Sequence, residues 1–507
     1  MLNALDRLLD RVTTYRLLLY YLIALVLIAI GLSFLGVLHF NGVAIAASTA
    51  ILVTACWFIN KVFATIFQAP TNVESVYITA LILALIITPL PTPTLINVTF
   101  LLAASGLAMA SKYILTIGRK HIFNPAAIAV ALTALGPRQS ASWWVGTTAM
   151  LPYVVIGGIL LARRTHRGRM VTSFFVTTLF ATVVYTMFGG GNAFSALDKT
   201  VMTSAMLFLG FVMLTEPMTT PPTARKQTWY AVLTGLLFPP QVHILKFYST
   251  PELALLVGNL FSYVISPKTK LFPTLQQKVR ITRDSLDFIF TPHQKFSYKP
   301  GQYMEWTLPH YGMDSRGDRR YFTLASSPTE PDVRIGVKFY KQSSTYKKTL
   351  FDMTTKTPIV AAQIAGDFVL PKDQTKKLVF IAGGIGITPY RSMIKYLLDT
   401  REVRPITLLY SARTAEDFAY KDVFSQAEHA LGIKVVYVVT DQVSGTAGPS
   451  SLSRINADMI EQEIPNYQEC LFYISGTQTM VKSIKHTLYQ LGVRGHQIKT
   501  DYFSGYT

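Results

Sequence analysis

Ten apolar segments crowd residues 1–266, near Tyr15–Leu38, Gly42–Ile59, Ser75–Leu90, Leu95–Thr116, Asn124–Leu135, Trp144–Leu161, Val171–Phe188, Val201–Leu214, Trp229–Leu245 and Glu252–Ile265. A bilayer core is crossed by about 20 helical residues, and in lipid each segment must satisfy its own backbone polar groups, which a helix does. The first half is therefore expected to be a polytopic α-helical membrane domain of about ten spans. Charge divides at the same place: residues 1–266 hold 16 Lys/Arg and 6 Asp/Glu, and residues 267–507 hold 31 and 22. The second half reads as soluble.

The formal charge of +19 raises nucleic acid as a partner, but there is no arginine-rich arm and no interleaving of aromatic and basic residues. No nucleic-acid partner is expected; membrane lipid accounts for the excess. With a cytoplasmic N-terminus, inner loops carry Arg7, Arg11, Arg16, Lys61, Arg119, Lys120, Arg163, Arg164, Arg167, Arg169, Arg225, Lys226, Lys268 and Lys270, and outer loops only Arg138, Lys199 and Lys246. The positive-inside rule then gives a multi-pass protein of the cytoplasmic (inner) membrane with both termini in the cytoplasm. The first apolar run is too long for a signal h-region and reads as a retained span. Two cysteines, Cys56 and Cys470, exclude a disulfide framework and a four-thiolate cluster within the chain.

Proline interrupts the apolar pattern once in each group of five segments, at Phe123–Asn124–Pro125 and at Thr215–Glu216–Pro217 with Pro221–Pro222. Paired breaks in two five-span repeats point to a site in the membrane. Proline also simply begins helices, but Glu216 is an acid at the end of an apolar run, where ionisable groups are costly and usually functional. It stands out among the membrane acids as suitably placed. Asn124, Thr215 and Glu216 are the candidate cofactor-binding residues there.

Residues 267–277 read as a linker. Short alternating strands follow (Val279–Arg283, Tyr303–Leu308, Val333–Phe339), the pattern of a β-barrel over residues 278–374. From residue 375 to 507 strands alternate with helices as in an α/β nucleotide domain: Leu378–Ala382, Ile406–Tyr410, Val435–Val439 and Leu471–Ser475, with helices Tyr390–Leu398, Val423–Ala430 and Thr479–Leu491. On a strand Arg320–Tyr321–Phe322–Thr323, Arg320 and Phe322 share one side and Thr323 takes the other. One segment thus offers a guanidinium for phosphate, an aromatic wall and a hydroxyl. Ser344 and Thr345 open a helix whose free N–H groups suit a pyrophosphate, although such residues also serve as ordinary N-caps. Strand Leu378–Ala382 runs into Gly383–Gly384–Ile385–Gly386–Ile387–Thr388–Pro389 and a helix, the setting in which a backbone approaches a dinucleotide.

These motifs, followed in order by Tyr410–Ser411–Ala412–Arg413, Ser475–Gly476 and Asp501–Tyr502–Phe503–Ser504–Gly505–Tyr506, make residues 278–507 resemble the ferredoxin–NADP reductase superfamily. The resemblance implies an FAD-binding barrel followed by an NAD(P)-binding domain. By it Arg320 contacts the FAD pyrophosphate, Phe322 packs on the isoalloxazine and Thr323 bonds near flavin N5, with Tyr321, Val337, Lys338, Ser344 and Thr345 in the same cofactor set. Gly383, Gly384, Gly386 and Thr388 receive the nicotinamide nucleotide, and Arg413 lies by its ribose. Phe503 or Tyr506 covers the flavin face. Thr323, Ser475 and Phe503 are the implied catalytic residues. Where many relatives have Cys-Gly-Pro, this chain has Ser475–Gly476–Thr477.

Gly118–Arg119–Lys120–His121–Ile122–Phe123–Asn124–Pro125–Ala126 and Phe211–Thr220 resemble the two recurrent motifs of the flavin-bearing membrane subunits of Rnf-type complexes and Na+-translocating NADH:quinone reductases. Those subunits attach FMN covalently in a long outer loop. Here that loop is only about Gly136–Ser142 and lacks the motif, and Asp441–Thr446 resembles it superficially, so covalent FMN is not expected. The haem-based ferric reductases need paired intramembrane histidines, yet His39, His121 and His166 fall in loops, leaving His243 without a partner. The implied function is a membrane-bound NAD(P)H oxidoreductase passing electrons from NAD(P)H through FAD to a second, non-covalent flavin (FMN or riboflavin) or a quinone. The alternatives are a redox-driven ion-translocating subunit or ferric-reductase-like transmembrane electron transfer.

Overall fold

The computed structural model describes residues 12–67, 73–90, 94–117, 120–135, 140–244, 247–266, 270–314, 316–441 and 454–503. Tyr506, residues 267–269 of the linker and nearly all of Asp441–Thr446 lie outside the described residues, and Phe503 is described by its backbone alone; the rest of the linker holds the strand Lys270–Leu271 and the start of Thr274–Thr282. The chain divides into two compact units, Met1–Lys268 and Thr269–Thr507.

In the first unit a helix lies in each of the apolar segments: Thr14–Phe34, Gly42–Ile66, Val73–Ile86, Leu95–Ile114, Pro125–Leu135, Leu151–Thr165, Gly168–Phe188, the pair Ala193–Met202 and Met206–Phe208, Ala224–Leu237 and Pro251–Ile265. Three of them, Thr14–Phe34, Gly42–Ile66 and Gly168–Phe188, are long and apolar enough to cross a membrane. Ala193–Met202 with Met206–Met213, bent by 56°, makes a fourth if the pair counts as one span. Val73–Ile86, Pro125–Leu135 and Pro251–Ile265 are apolar but shorter.

The short helices have identifiable ends. Val73–Ile86 stops where the Trp144 indole N–H reaches the carbonyls of Ala84 (3.0 Å) and Ile87 (2.9 Å), while the backbone N–H groups of Ser142 and Trp143 share that of Ile86 (2.9 Å each). These side-on donors satisfy carbonyls that a helix end leaves open. Pro125–Leu135 starts at Asn124, whose Oδ1 accepts from the N–H groups of Ala126 (3.1 Å) and Ala127 (3.0 Å). Thr250 caps Pro251–Ile265 through the Leu253 N–H (3.3 Å). The segment expected to begin at Trp144 instead opens with a single 3-10 turn, Trp144–Gly146, and its helix begins at Leu151.

In the second unit the strands are β1 (Lys270–Leu271), β2 (Thr274–Thr282), β3 (Ser285–Thr291), β4 (Tyr303–Thr307), β5 (Arg319–Thr323), β6 (Val333–Lys338), β7 (Val360–Ala365), β8 (Leu378–Gly383), β9 (Ile406–Ala412), β10 (Lys434–Val439), β11 (Leu471–Thr477) and β12 (Ile498–Phe503). The first seven form two antiparallel sheets, ordered β6-β3-β2 and β1-β7-β4-β5. Between them sits one core with Phe288, Phe290, Met304, Trp306, Ile335 and Tyr346 fully buried. Strand burial alternates, as Val333–Lys338 does residue by residue, because each strand turns one face to this core.

The last five strands form a parallel sheet ordered β10-β9-β8-β11-β12. Its central strand, Leu378–Ala382, is buried throughout, as expected of a sheet covered on both faces. The order reverses between β8 and β11, and ligands of such sheets bind in the crevice outside the carboxyl ends of the strands at that reversal.

Candidate functional site

At the reversal β8 ends in Gly383, Gly384–Ile387 forms a 3-10 turn and the helix Thr388–Thr400 begins, with Pro389 in its first turn. Gly386 packs so closely on β11 that a Cβ there would stand 2.6 Å from the Ser475 carbonyl oxygen and 2.7 Å from the Gly476 Cα. The glycine is thus required by close approach, as dinucleotide-binding turns require. Ser475 pairs with Ala382 on one side and Asp501 on the other. It is fully buried, and its hydroxyl makes no hydrogen bond among the described residues.

Thr323, at the end of β5, lies near Asp501, whose carboxyl burial pushes up to about 6, the Thr323 hydroxyl pulling the other way. Asp501 is a candidate site residue that sequence reasoning missed: it stood in the terminal motif but was given no role. The available signal was an acid at the carboxyl end of a parallel strand. The structure therefore brings together Thr323, Ser475 and the Gly383–Thr388 turn, and adds Asp501.

Around β5 the side chains divide as the strand alternation requires. Arg320 is buried; its guanidinium donates to the carbonyls of Arg316 (2.8 Å), Gly317 (3.2 Å) and Arg319 (2.6 Å) and lies over the Tyr346 ring at 4.9 Å. Phe322 is on the same side, 6.2 Å from that ring. Tyr321 takes the other side and donates to the buried Glu305 (2.7 Å). Val337 is buried in the core, and Lys338 pairs with Asp284 at 2.8 Å.

Ser344 acts as an N-cap, accepting from the Lys347 N–H at 3.4 Å, and the Thr345 N–H donates to Asp314 at 3.1 Å. Burial works against the Asp314 charge, but its bonds to Arg316 and to the Thr345 N–H hold the carboxyl below its usual range. Lys347 was also missed. Burial first, then repulsion from Arg320, Arg316 and Lys338, pulls its ammonium down to about 8. Four cations gathered at one edge of a domain favour an anion of matching size. Arg413, just past β9, is exposed, and Thr388 is buried with its hydroxyl on the Ile385 carbonyl (3.2 Å).

In the first unit Asn124 and Glu216 meet: the Asn124 amide donates to the Glu216 carboxylate at 2.7 Å. The Asn124 N–H donates to Asn259 at 2.8 Å, and the Asn259 amide to the Tyr230 hydroxyl at 3.0 Å. Arg167 donates to the Thr215 carbonyl and to Thr220 Oγ1 (3.1 Å). The three expected residues thus share one polar cluster inside an apolar unit, joined by Asn259, Tyr230 and Arg167. The expectation that Glu216 stands alone among the membrane acids is corrected. Glu252, read as the first residue of the tenth apolar segment and given no role, is 3% exposed and accepts from the Trp143 indole at 3.0 Å. The four histidines of this unit lie outside its helices.

Residues 380–486 match the oxidoreductase NAD-binding domain. The chain is 29% identical over 241 residues to a flavohemoprotein of Candida albicans, covering 45% of this chain and 58% of the relative. It is 24% identical over 215 residues to the glycine betaine monooxygenase reductase subunit of Chromohalobacter salexigens, covering 41% and 58% respectively. Among solved structures it is similar to the Amycolatopsis cytochrome P450 reductase GcoB, at 20% identity and a TM-score of 0.42, covering 47% of this chain and 71% of that one. The chain spans a little over half the length of the curated relatives it matches. Its C-terminal half carries an oxidoreductase NAD-binding domain.

Proposed function

We propose that this chain is a membrane-anchored NAD(P)H-dependent flavin oxidoreductase. It takes hydride from NADH or NADPH at the carboxyl ends of β8 and β11 onto FAD held by the antiparallel sheets. Electrons then pass to a second carrier, a non-covalent flavin or a quinone, at the Asn124–Glu216 cluster. The observation that carries the reading is the packing of the Gly383–Thr388 turn on Ser475, the strand partner of Asp501, with Thr323 near that acid, which sets a flavin-type strand against a nucleotide-type turn. In the first unit the reading is of ten crossings, with the short and bent helices acting as broken spans, and both termini cytoplasmic.

The residues fit an FAD. Arg316, Arg320, Lys338 and Lys347 supply opposite charge to a pyrophosphate, Phe322 supplies a ring face, and the buried Ser475 hydroxyl has no competing bond. FAD, when bound, accepts a hydride and releases electrons singly. The chain's own part is to bind, orient and hold a proton. Thr323 holds its hydroxyl proton toward Asp501 while that acid is ionised. Once protonated, Asp501 can return a proton to that hydroxyl, and with a carboxyl near 6 it does either close to neutral pH.

Four outcomes test this. Arg320→Ala releases FAD, because a charge-assisted phosphate contact is lost; full flavin content in the purified variant would contradict the assignment. The second outcome concerns Asp501, whose carboxyl is raised from 3.8 to about 6. Its contribution to stability is present below about pH 4 and is lost as pH rises through 6, since folding then holds a charge in a poorly solvated place. Asp501→Asn should therefore flatten the fall in unfolding midpoint between pH 4 and pH 7, roughly the window of that shift. An unchanged pH profile counts against a buried, titrating Asp501.

Glu216→Gln and Asn124→Ala should leave NAD(P)H reduction of the flavin near wild type while slowing reoxidation by a membrane acceptor, on the order of 10-fold. Stopped-flow absorbance on detergent-solubilised protein measures both half-reactions, and wild-type rates in both would remove the second site. Finally, a C-terminal reporter that functions only in the cytoplasm should be active; activity of one that functions only outside would reverse the topology.

A further inference from the structure

The helix Thr388–Thr400, which begins at the nucleotide turn, is stitched by its first residues to the peptide that follows the flavin-type strand. Arg391 donates to the Ala325 carbonyl at 2.8 Å and grips Glu330 with both terminal nitrogens, at 2.5 and 2.9 Å. Its neighbour Ser392 donates to the Ser326 carbonyl at 2.6 Å, and further along Asp399 accepts from Thr329 at 2.5 Å. Only Leu324 separates Thr323 from Ala325, and only two residues separate Thr388 from Arg391. Arg391 therefore links the two halves of the site within a few residues of both Thr323 and Thr388.

A second joint lies beside it. Tyr420 holds a left-handed backbone, φ 59°, and donates its hydroxyl to the fully buried Asp287, which also takes Arg334 at 3.0 Å. The Arg391 guanidinium lies over the Tyr420 ring at 5.6 Å. Gly336, paired with Asp287 across β6 and β3, makes room: a Cβ there would stand 2.7 Å from the Tyr420 hydroxyl and 2.8 Å from the Thr388 methyl. The nucleotide-turn threonine thus touches the flavin-side sheet at a place only glycine permits.

Buried ion pairs are poor stabilisers, since desolvation offsets most of the Coulombic gain, and apolar residues of the same volume serve a fold as well or better. What they do supply is a single geometry: a bidentate guanidinium–carboxylate pair fixes both distance and plane. We propose that Arg391 and Tyr420 are positioning residues, which with Glu330 and Asp287 hold the nucleotide domain at the register in which nicotinamide meets the flavin. This rests on the NAD(P)H-to-flavin reading above.

The test uses the full-length chain in detergent, its bound flavin reduced anaerobically by NADH or NADPH in a stopped-flow instrument. Glu330→Gln should keep its flavin and keep the nucleotide concentration for half-maximal rate, while the limiting rate of flavin reduction falls on the order of 10- to 100-fold, the scale of a misplacement near 1 Å. Tyr420→Phe, a smaller change, should fall in the same sense by less, and Glu330→Asp should recover part of the loss. A purely structural role would lower flavin content or melting temperature while the flavin-bound fraction reacts at the wild-type limiting rate. That result, or limiting rates within about twofold of wild type in both variants, overturns the proposal. Should Glu330→Gln not keep its flavin, Tyr420→Phe alone decides. A wild-type chain whose flavin neither nucleotide reduces sinks the underlying reading, and that control is read before any variant.

Discussion

One close approach, of the Thr323 hydroxyl to the Asp501 carboxyl, joins the end of a strand in an antiparallel sheet to the last described strand of the parallel one. Much else on that side of the molecule follows from making it possible. The strand order must reverse between β8 and β11 so that their ends open onto a crevice. Gly386 must let the nucleotide turn lie against β11. Arg391 must fasten the next helix to the residues just past Thr323. A carboxyl held partly out of water, with its acid constant moved toward neutrality, can hold or return a proton at working pH.

The positive edge of the same unit follows a different logic. Burial first, and then repulsion from Arg320, Arg316 and Lys338, holds the Lys347 ammonium below its usual range. Repulsion of that kind is a cost to folding unless an anion relieves it, and a pyrophosphate carries suitable charge and shape. Asp314 already brings one carboxylate to the region through Arg316 and the Thr345 N–H. The helix start that looked like a free anion site is thus already in use, and the lysine two residues further on is the stronger candidate for a phosphate contact.

The soluble unit was largely legible because its signals are local. Period-two alternation marked β4 and β6, the glycine turn marked the end of β8, and Arg320–Thr323 announced its own facing pattern. Asp501 and Lys347 escaped because their significance comes from neighbours distant in sequence: Thr323 for one, and the cations converging from other loops for the other. Arg391 and Tyr420 were invisible for the same reason, since an arginine on a helix ordinarily reads as a solvated face. In the first unit hydropathy located the helices, yet among the described residues only Thr14–Phe34, Gly42–Ile66 and Gly168–Phe188 are long and apolar enough by themselves. The short ones end on tertiary bonds, Trp144 on Ala84 and Asn259 on Asn124, which no periodicity reveals. Glu252, at the start of the tenth apolar segment, was passed over because its partner, the Trp143 indole, comes from a distant part of the chain.

What unites the two units, in this account, is electron flow from a nicotinamide nucleotide through a flavin to a carrier among apolar helices. An anaerobic reductive titration of the purified full-length chain in lipid nanodiscs, following flavin absorbance against added NADH or NADPH, tests that most directly. The account predicts uptake of more than one two-electron equivalent per chain, FAD filling together with the second carrier. No absorbance change with either nucleotide would contradict its centre, and an end point at a single equivalent would leave the soluble half standing but remove the carrier from the membrane unit.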